Sequence, residues 1–488
     1  MRLSRRAMLA GAVSAIATQS LADAPLTSMR PLARLPAVDA IKSMVADRGL
    51  SGQIGVVVTD LQTGEILDDI GGSVALPPAS VTKAVTALYA IDTLGPEHLF
   101  KTRVFAEGEI KDGILDGNLI LSGGGDPNLV TDQLAELARK LKDTGLREVK
   151  GDFLVWDGAL TNLDEIDESQ FDYLGYNPTI TGLNLNYNRV HFEWKVNGEN
   201  IETAMDARSE NYRPAVTASR IQVVDRDVPV FTYRDAGDFD QWTVAQSALN
   251  KEGSRWLPVR HPALYAGEVF STFARSHGIV LKAPKETFQS PSGTPLADID
   301  SVPLREMMRG MLRFSTNITA EAAGLAATAQ LVGQQRGLRT SALGMARWAN
   351  IRAGGISPDF VDHSGLGDQS RVSPRDMVKL LSASDVMPTL KPIMRDIRLV
   401  GEDQQVINDP QVSVKAKTGT LNFVSTLAGY VRSKSGRDLA FAIFASDLDA
   451  REAGKLTGAE SPPGARGWNR RARRLQQDIL KHLAFRLA

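Results

Sequence analysis

Pro78-Ala79-Ser80-Val81-Thr82-Lys83 opens the apolar run Ala84 to Leu94. Pro77-Pro78 punctuates a helix start, so the run reads as a helix. Ser80 and Lys83, three residues apart, then lie on one helix face. Serine at its ordinary pKa is a weak nucleophile and needs a base within hydrogen-bond reach. Lysine serves as that base only when neutral, which requires a dry site or one already positively charged. Alone, the spacing equally describes a helix start with Ser80 as N-cap and Lys83 in solvent. Two distant stretches shift the balance: Ser315-Thr316-Asn317 and Lys417-Thr418-Gly419-Thr420.

Composition bounds the alternatives. The 488 residues suffice for about two to four domains. With 43% apolar and 23% charged residues, the chain has ample core material. A formal net charge of −1 gives no field that would draw in nucleic acid. There is no cysteine, which excludes thiol catalysis, disulfides and cysteine zinc sites. The six histidines are scattered, and no HExxH, GxSxG or Walker A pattern occurs, so no cofactor or metal is expected.

The first 22 residues read as an export signal. Arg2, Arg5 and Arg6 precede the short apolar run Met8 to Ala17, and Ser20-Leu21-Ala22 supplies small residues at a cleavage site. Ser4-Arg5-Arg6-Ala7-Met8-Leu9 is close to a twin-arginine motif, so the Sec and twin-arginine routes both stay open. No later stretch is long enough to span a bilayer. The expected location is the periplasm, with a peripheral membrane contact left open.

Beyond the signal, Val38 to Ala46 reads as a short helix, and Gly55–Asp60 and Glu65–Leu67 as a strand-turn-strand. From about Phe105 short strand-like runs dominate, interrupted by one helix candidate, Thr131 to Asp143. Ser122-Gly123-Gly124-Gly125-Asp126-Pro127 lacks a phosphate-loop continuation and reads as a turn. Helical texture returns at Pro303 to Arg313, Ile318 to Gln335, Thr340 to Arg352 and Ser373 to Leu381. Val412 to Lys417, Phe423 to Arg432 and Asp438 to Ser446 read as strands. The final helix, Trp468 to Leu487, carries Leu475, Ile479, Leu483 and Leu487 on one stripe and is expected to pack on the sheet.

Together the residue types fit acyl transfer without histidine. Ser80 is the candidate nucleophile and Lys83 its neutral base. Lys417, placed nearby, would disfavour a second ammonium at Lys83 and would attract a substrate carboxylate. Ser315 would relay a proton to the leaving amine. Asn317 would hold Lys83 or a substrate carbonyl. The Ser80 and Thr420 N–H groups would form an oxyanion hole. A second SxN, Ser209-Glu210-Asn211, lies in a polar stretch, whereas Ser315 sits between two apolar helices.

The set SxxK, SxN and KTG is an established signature of β-lactamases and penicillin-binding proteins. More narrowly, PASVTK, LSGGGDPNL, STNITAE, DHSGLGDQSRVSP and KAKTGTLNFVSTLAGYV make the chain resemble the D-alanyl-D-alanine carboxypeptidases/endopeptidases of the class C low-molecular-mass penicillin-binding proteins. The resemblance covers nearly the whole chain after the signal. It implies an α+β fold: a penicillin-recognising, transpeptidase-like domain with a five-stranded antiparallel sheet flanked by helices, formed by 23–105 and 286–488. A mostly β region, 106–285, is inserted in it. The resemblance further implies that Thr418, Gly419 and Thr420 bind substrate, the two threonines at the terminal D-alanine carboxylate. Peptidoglycan stem peptides are the implied substrates, and β-lactams the implied covalent inhibitors.

Two positions depart from the family pattern. Only Asp157 remains where the family carries an acidic run, so it is the sole residue there for gripping a substrate amine. His363 replaces a usual glycine and reads as an exposed side chain. Two alternatives stay open: a serine β-lactamase or esterase on the same scaffold, and a non-catalytic wall-binding protein.

Overall fold

The computed structural model describes residues 37–485 except 199, 334–336 and 402; the export signal and Leu487 lie outside them. The chain begins with α1 (Ala37–Asp47), the hairpin β1 (Gln53–Asp60) and β2 (Ile66–Ile70), and α2 (Thr82–Leu94). It then runs through β3 (Lys101–Lys111), β4 (Ile114–Ser122), α3 (Thr131–Asp143), β5 (Glu148–Val149) and β6 (Phe153–Trp156). Six strands follow: β7 (Arg189–Asn197), β8 (Asn200–Asp206), β9 (Ser219–Val224), β10 (Phe231–Asp235), β11 (Asp240–Ala245) and β12 (Glu252–Pro258). Next come α4 (Pro262–Ser276), β13 (Pro284–Glu286) and β14 (Thr294–Asp300). The helices α5 (Leu304–Phe314), α6 (Asn317–Val332), α7 (Leu338–Arg352), α8 (Pro374–Leu381) and α9 (Val386–Leu390) precede β15 (Arg395–Asp396). The chain closes with β16 (Ser413–Leu421), β17 (Val424–Arg432), β18 (Asp438–Ser446), α10 (Leu448–Lys455) and α11 (Ala465–Phe485).

The sheet that carries the site has the order β15-β16-β17-β18-β1-β2, every pair antiparallel. Five strands of ordinary length match the expected sheet, and the two-residue β15 adds a short edge. Because side chains alternate across a strand, β18 feeds two cores. Ala440, Ala442 and Phe444 face α2 and the helices around it, while Leu439, Phe441 and Ile443 face α1 and α11. Both faces are covered, which is why β17 and β18 read as continuous apolar runs rather than alternating ones. On α11, Leu475, Ile479 and Leu483 pack against the sheet as their stripe predicts.

Thr82 through Ile91 of α2 are all buried. A helix apolar all round belongs inside a core, and α2 lies between the sheet and α5, α6 and α7. Lys83 is the one charged residue in that buried stretch.

A separate core gathers Val104 to Ile279, with the sheet β13-β6-β4-β3-β14, two three-stranded sheets, α3 and α4. The glycine-rich stretch after β4 is a connection whose amides are used internally. The Gly123 N–H donates to Trp156 O at 2.9 Å, and the Gly125 N–H to Gly182 O at 2.7 Å.

Candidate active site

Ser80 sits in a single 3-10 turn, Ala79–Val81, that runs into α2. Ala79 has φ 46°, a left-handed conformation that costs an L-residue about 1–2 kcal/mol. Two hydroxyls hold this turn. Thr82 Oγ1 donates to the Ala79 carbonyl at 2.9 Å, and Thr426 Oγ1 on β17 donates to the Pro78 carbonyl at 2.6 Å. The backbone before the serine is thus bolted to the central sheet.

Lys83 is fully buried. Its Nζ donates to Asn317 Oδ1 at 2.7 Å and to the Ser364 carbonyl at 2.8 Å, and Ser80 Oγ lies 3.0 Å away. The first two partners can only accept. A neutral amine has two N–H groups and one lone pair, so these partners consume both hydrogens and leave the lone pair facing the Ser80 hydroxyl. Burial drives the Lys83 pKa down to about 8, against the opposing charges of Asp362 and Glu321. Desolvation of a buried ion, worth several kcal/mol, outweighs the two acids.

Ser315 caps α5 in the left-handed conformation, φ 61°, a tight corner that lets α6 start at Asn317. Its Oγ accepts from Lys417 Nζ at 3.0 Å, and Lys417 also donates to the Thr418 carbonyl at 2.6 Å. Lys417 is buried on β16, and its pKa is held well below the ordinary value by burial first and by the charge of Lys83 second. The electrostatic expectation therefore needs correction. Burial, rather than the charge of Lys417, is the main reason the Lys83 pKa is lowered, which brings the neutral amine within reach just above neutral pH.

The strand carrying Lys417 also runs further than its alternation indicated. Instead of ending at the lysine, β16 continues through Leu421, with Thr418 opposite Leu427 and Thr420 opposite Ser425. β15 pairs only with Ala416 and Lys415, so the 417–421 edge is left open beside the site. Thr418 is exposed, and Thr420 lines a cleft of about 440 Å³ together with Ser80, Ser315 and Asn317. Gly419 faces the Pro78 carbonyl and Thr426 Oγ1.

The rest of that cleft came without a sequence signal. One wall is Gln170, Phe171, Leu174 and Tyr176; the other includes Arg451, Lys455 and Glu460. The first wall comes from an irregular stretch between β6 and β7, and the second from α10 and the loop after it, neither of which carries a recognisable motif. Arg451 is anchored to Asp368 at 3.1 Å and to the Asn422 carbonyl at 3.0 Å.

Asp157 lines a different cavity, with Asn162, Asp164, Glu165 and His261. Burial raises its pKa, against hydrogen bonds from Asn162, whose Nδ2 lies 3.4 Å away, and from Thr181. The second SxN sits beside α3, where Asn211 Nδ2 donates to Asp132 Oδ1 at 2.6 Å.

His363 corrects another expectation: it is completely buried. Gly324 on α6 vacates the space its ring occupies, since a Cβ there would lie 2.2 Å from His363 Cγ. The ring stacks on Tyr89 at 6.4 Å, and Nε2 pairs with Ser341 Oγ at 2.8 Å. Burial drops its pKa to about 3, so it is uncharged in the working range.

Sequence reading also passed over Glu321 and Asp362, both buried. A signal for Glu321 was available. It is the one acid in the apolar stretch of α6, four residues after Asn317 and so on the same face.

A model of the D-Ala-D-Ala carboxypeptidase 3 (S13) family matches residues 37–459. The chain is 28% identical to a D-alanyl-D-alanine carboxypeptidase of Actinomadura sp. (strain R39), over 92% of this chain and 89% of that one. It is 25% identical to the D-alanyl-D-alanine carboxypeptidase DacB of Haemophilus influenzae, over 80% of this chain and 85% of the relative. The crystal structure of penicillin binding protein 4 (dacB) from Haemophilus influenzae superposes with a TM-score of 0.71 at 23% identity, covering 90% of this chain and 99% of that one.

Proposed function

Since this chain belongs to the D-Ala-D-Ala carboxypeptidase 3 (S13) family of serine peptidases, we propose that Ser80 is the nucleophile that takes the acyl group. Ser80 Oγ attacks the carbonyl of the penultimate D-alanine while its proton passes to Lys83 Nζ. The N–H groups of Ser80 and Thr420 receive the oxyanion, a contribution worth about a hundredfold or more per donor. The tetrahedral adduct collapses with cleavage of the C–N bond, and the leaving amine takes, relayed through Ser315 next to Lys417, the proton that Lys83 accepted from Ser80. Water then adds to the acyl-enzyme and releases the shortened peptide with Ser80 restored.

Substrate would lie along the open edge of β16, as an added strand. Its terminal carboxylate would meet Thr418 and Thr420, with Gly419 letting the strand lie close to the nucleophile turn. The substrates are peptidoglycan stem peptides, in the periplasm, and β-lactams acylate the same serine. Asp157, in its separate cavity, is given no part. The separate cores support a discontinuous peptidase domain with an inserted region. β3 (from Lys101) and β14 (to Asp300) belong to the inserted sheet, so the insertion reaches beyond the expected 106–285 at both ends. No described helix is long and apolar enough to cross a membrane.

One observation carries this reading: Lys83 spends both amine hydrogens on fixed acceptors and turns its remaining face to Ser80 at 3.0 Å. The test is mass spectrometry after benzylpenicillin treatment, with D-alanine release from a D-Ala-D-Ala peptide followed in parallel. An adduct on Ser80 that hydrolyses slowly is expected, together with D-alanine release. Absence of the adduct would remove Ser80 from the role, and rapid penicilloyl hydrolysis would favour a β-lactamase.

A further inference from the structure

Behind Lys83 lie two carboxyl groups that the reaction as written does not use. Glu321 follows Asn317 by one helical turn, so α6 brings both to the same neighbourhood. Its Oε1 accepts from the Ser364 N–H at 2.8 Å and its Oε2 from the His363 N–H at 2.9 Å. The carbonyls of the same two residues point the other way, onto α2. Thr86 Oγ1 donates to His363 O at 2.6 Å and Lys83 Nζ to Ser364 O at 2.8 Å. Asp362 closes the loop on itself, accepting from the Gly365 and Gly367 N–H groups at 2.6 Å each. The peptide that orients the amine is therefore suspended between Glu321 and α2, in a loop shaped by Asp362.

We propose that Glu321 and Asp362 are positioning residues for the general base: they fix the Ser364 carbonyl that orients the Lys83 amine, and their negative charge sets how readily Lys83 keeps a proton. The supporting electrostatics are mutual. Both acids favour the charged form of Lys83, and Lys83 favours the ionised form of each. Burial pushes Glu321 up to about 8 and Asp362 up to about 6, the two acids adding to each other at Glu321. The other charged groups here are Lys417 from β16, which feels Lys83, and Asp167, which acts on Asp362. His363, beside the loop, stays neutral.

The inference rests on Lys83 being the base. The test is the second-order rate of acylation of the full chain by benzylpenicillin as a function of pH, in Asp362→Asn and Glu321→Gln beside wild type, with melting temperatures. Asp362→Asn removes a negative neighbour, so Lys83 is easier to deprotonate and the acid limb moves to lower pH by about half a unit or more. Glu321, raised to about 8, is only partly ionised across that limb, so Glu321→Gln moves it in the same direction by less. The Asp362 charge also acts on Lys83 more strongly. The plateau also falls at least about tenfold, because an amide NH2 opposes a backbone N–H and loosens the loop. An acid limb unmoved in both variants overturns the proposal, whatever the melting temperatures do. If one variant does not fold, the other decides. If neither folds, NMR of the wild type decides: the Lys83 nitrogen must share a titration inflection with a carboxyl carbon of Glu321 or Asp362, and a Lys83 titration matched by neither overturns it. Failure of the underlying reading looks different: wild type without an acid limb, or Lys83→Gln acylating at the wild-type rate.

Discussion

Asn317 Nδ2 donates to the backbone carbonyl of Tyr176 at 2.8 Å. The same amide presents Oδ1 to Lys83, so the chain between β6 and β7 reaches into the site and fixes which way the amide faces. With its NH2 committed to a carbonyl, the amide has one orientation that also offers oxygen to the lysine. Asn317→Asp makes the Tyr176 contact repulsive and sets an anion beside Lys83, favouring the ammonium. Asn317→Ala removes both contacts. Acylation by benzylpenicillin is expected to fall about a hundredfold in each, the usual cost of a misplaced catalytic group. Stopped-flow acylation rates at saturating enzyme check this.

The pH profile follows from Lys83. The base must be neutral to accept the Ser80 proton, and its pKa is lowered by burial to about 8. Activity therefore rises with pH and is half-maximal near that value. Initial rates of D-alanine release over a broad pH range, with the profile of kcat/KM fitted for its acid limb, give the measurement.

Gly324 inverts an ordinary rule. In a helix interior, glycine to alanine normally stabilises by about 1 kcal/mol. Here a Cβ would lie 2.2 Å from His363 Cγ and 2.3 Å from Nδ1, and the ring is pinned by Ser341 and Tyr89. Gly324→Ala is expected to destabilise by about 1–3 kcal/mol, the cost of overpacking a filled core. Urea unfolding midpoints at neutral pH supply the comparison.

Gly419 is under a similar constraint on the strand side. A Cβ there would sit 2.2 Å from Thr426 Oγ1 and 2.7 Å from the Pro78 carbonyl, the two atoms that hold the nucleophile turn to the sheet. Gly419→Ala must part β16 from that turn. A displacement of about 1 Å is expected to cost about a hundredfold in kcat/KM. The fold itself should persist, since β16 keeps its register with β17. Activity and far-UV circular dichroism, measured together, separate the two effects.

What the sequence disclosed depended on periodicity. The stripe of α11, the buried strands β17 and β18 and the helix carrying Ser80 and Lys83 were legible because burial imposes a repeat that local spacing records. Thr131 to Asp143 was likewise readable as α3. The cleft walls were not, because Tyr176 and Glu460 come from loops placed by contacts with distant chain. The burial of His363 was illegible for a related reason. It depends on the missing side chain of Gly324, thirty-nine positions away by residue number. The charge balance at Lys83 was misjudged because Glu321 and Asp362, although they lie inside the STNITAE and DHSGLGDQSRVSP stretches, reach Lys83 only through the folded packing of α6 and the 362–367 loop against α2.

His363 also leaves a thermodynamic trace. Burial lowers its pKa from 6.5 to about 3. As pH falls through that window, the unfolded chain takes a proton that the folded chain refuses, so stability drops with falling pH. Above 6.5 both states are neutral and the contribution is constant. Glu321 and Asp362 act in the opposite sense, because their raised values make the folded chain bind protons first as pH falls. The wild-type slope alone is therefore a sum of opposing terms, and a difference measurement is needed. His363→Leu removes the titrating group and leaves Ser341 its bond to Thr328 Oγ1 at 2.8 Å. At neutral pH the variant should be less stable by about 1–3 kcal/mol, for the lost hydrogen bond and imperfect filling. Its deficit should then shrink on acidification, by at most about 1.4 kcal/mol per pH unit, one proton's worth. Denaturant unfolding at a series of pH values from neutral to about 4 measures it. A deficit that stays constant over the series would mean that His363 accepts its proton in the folded chain, and that its pocket is open to water.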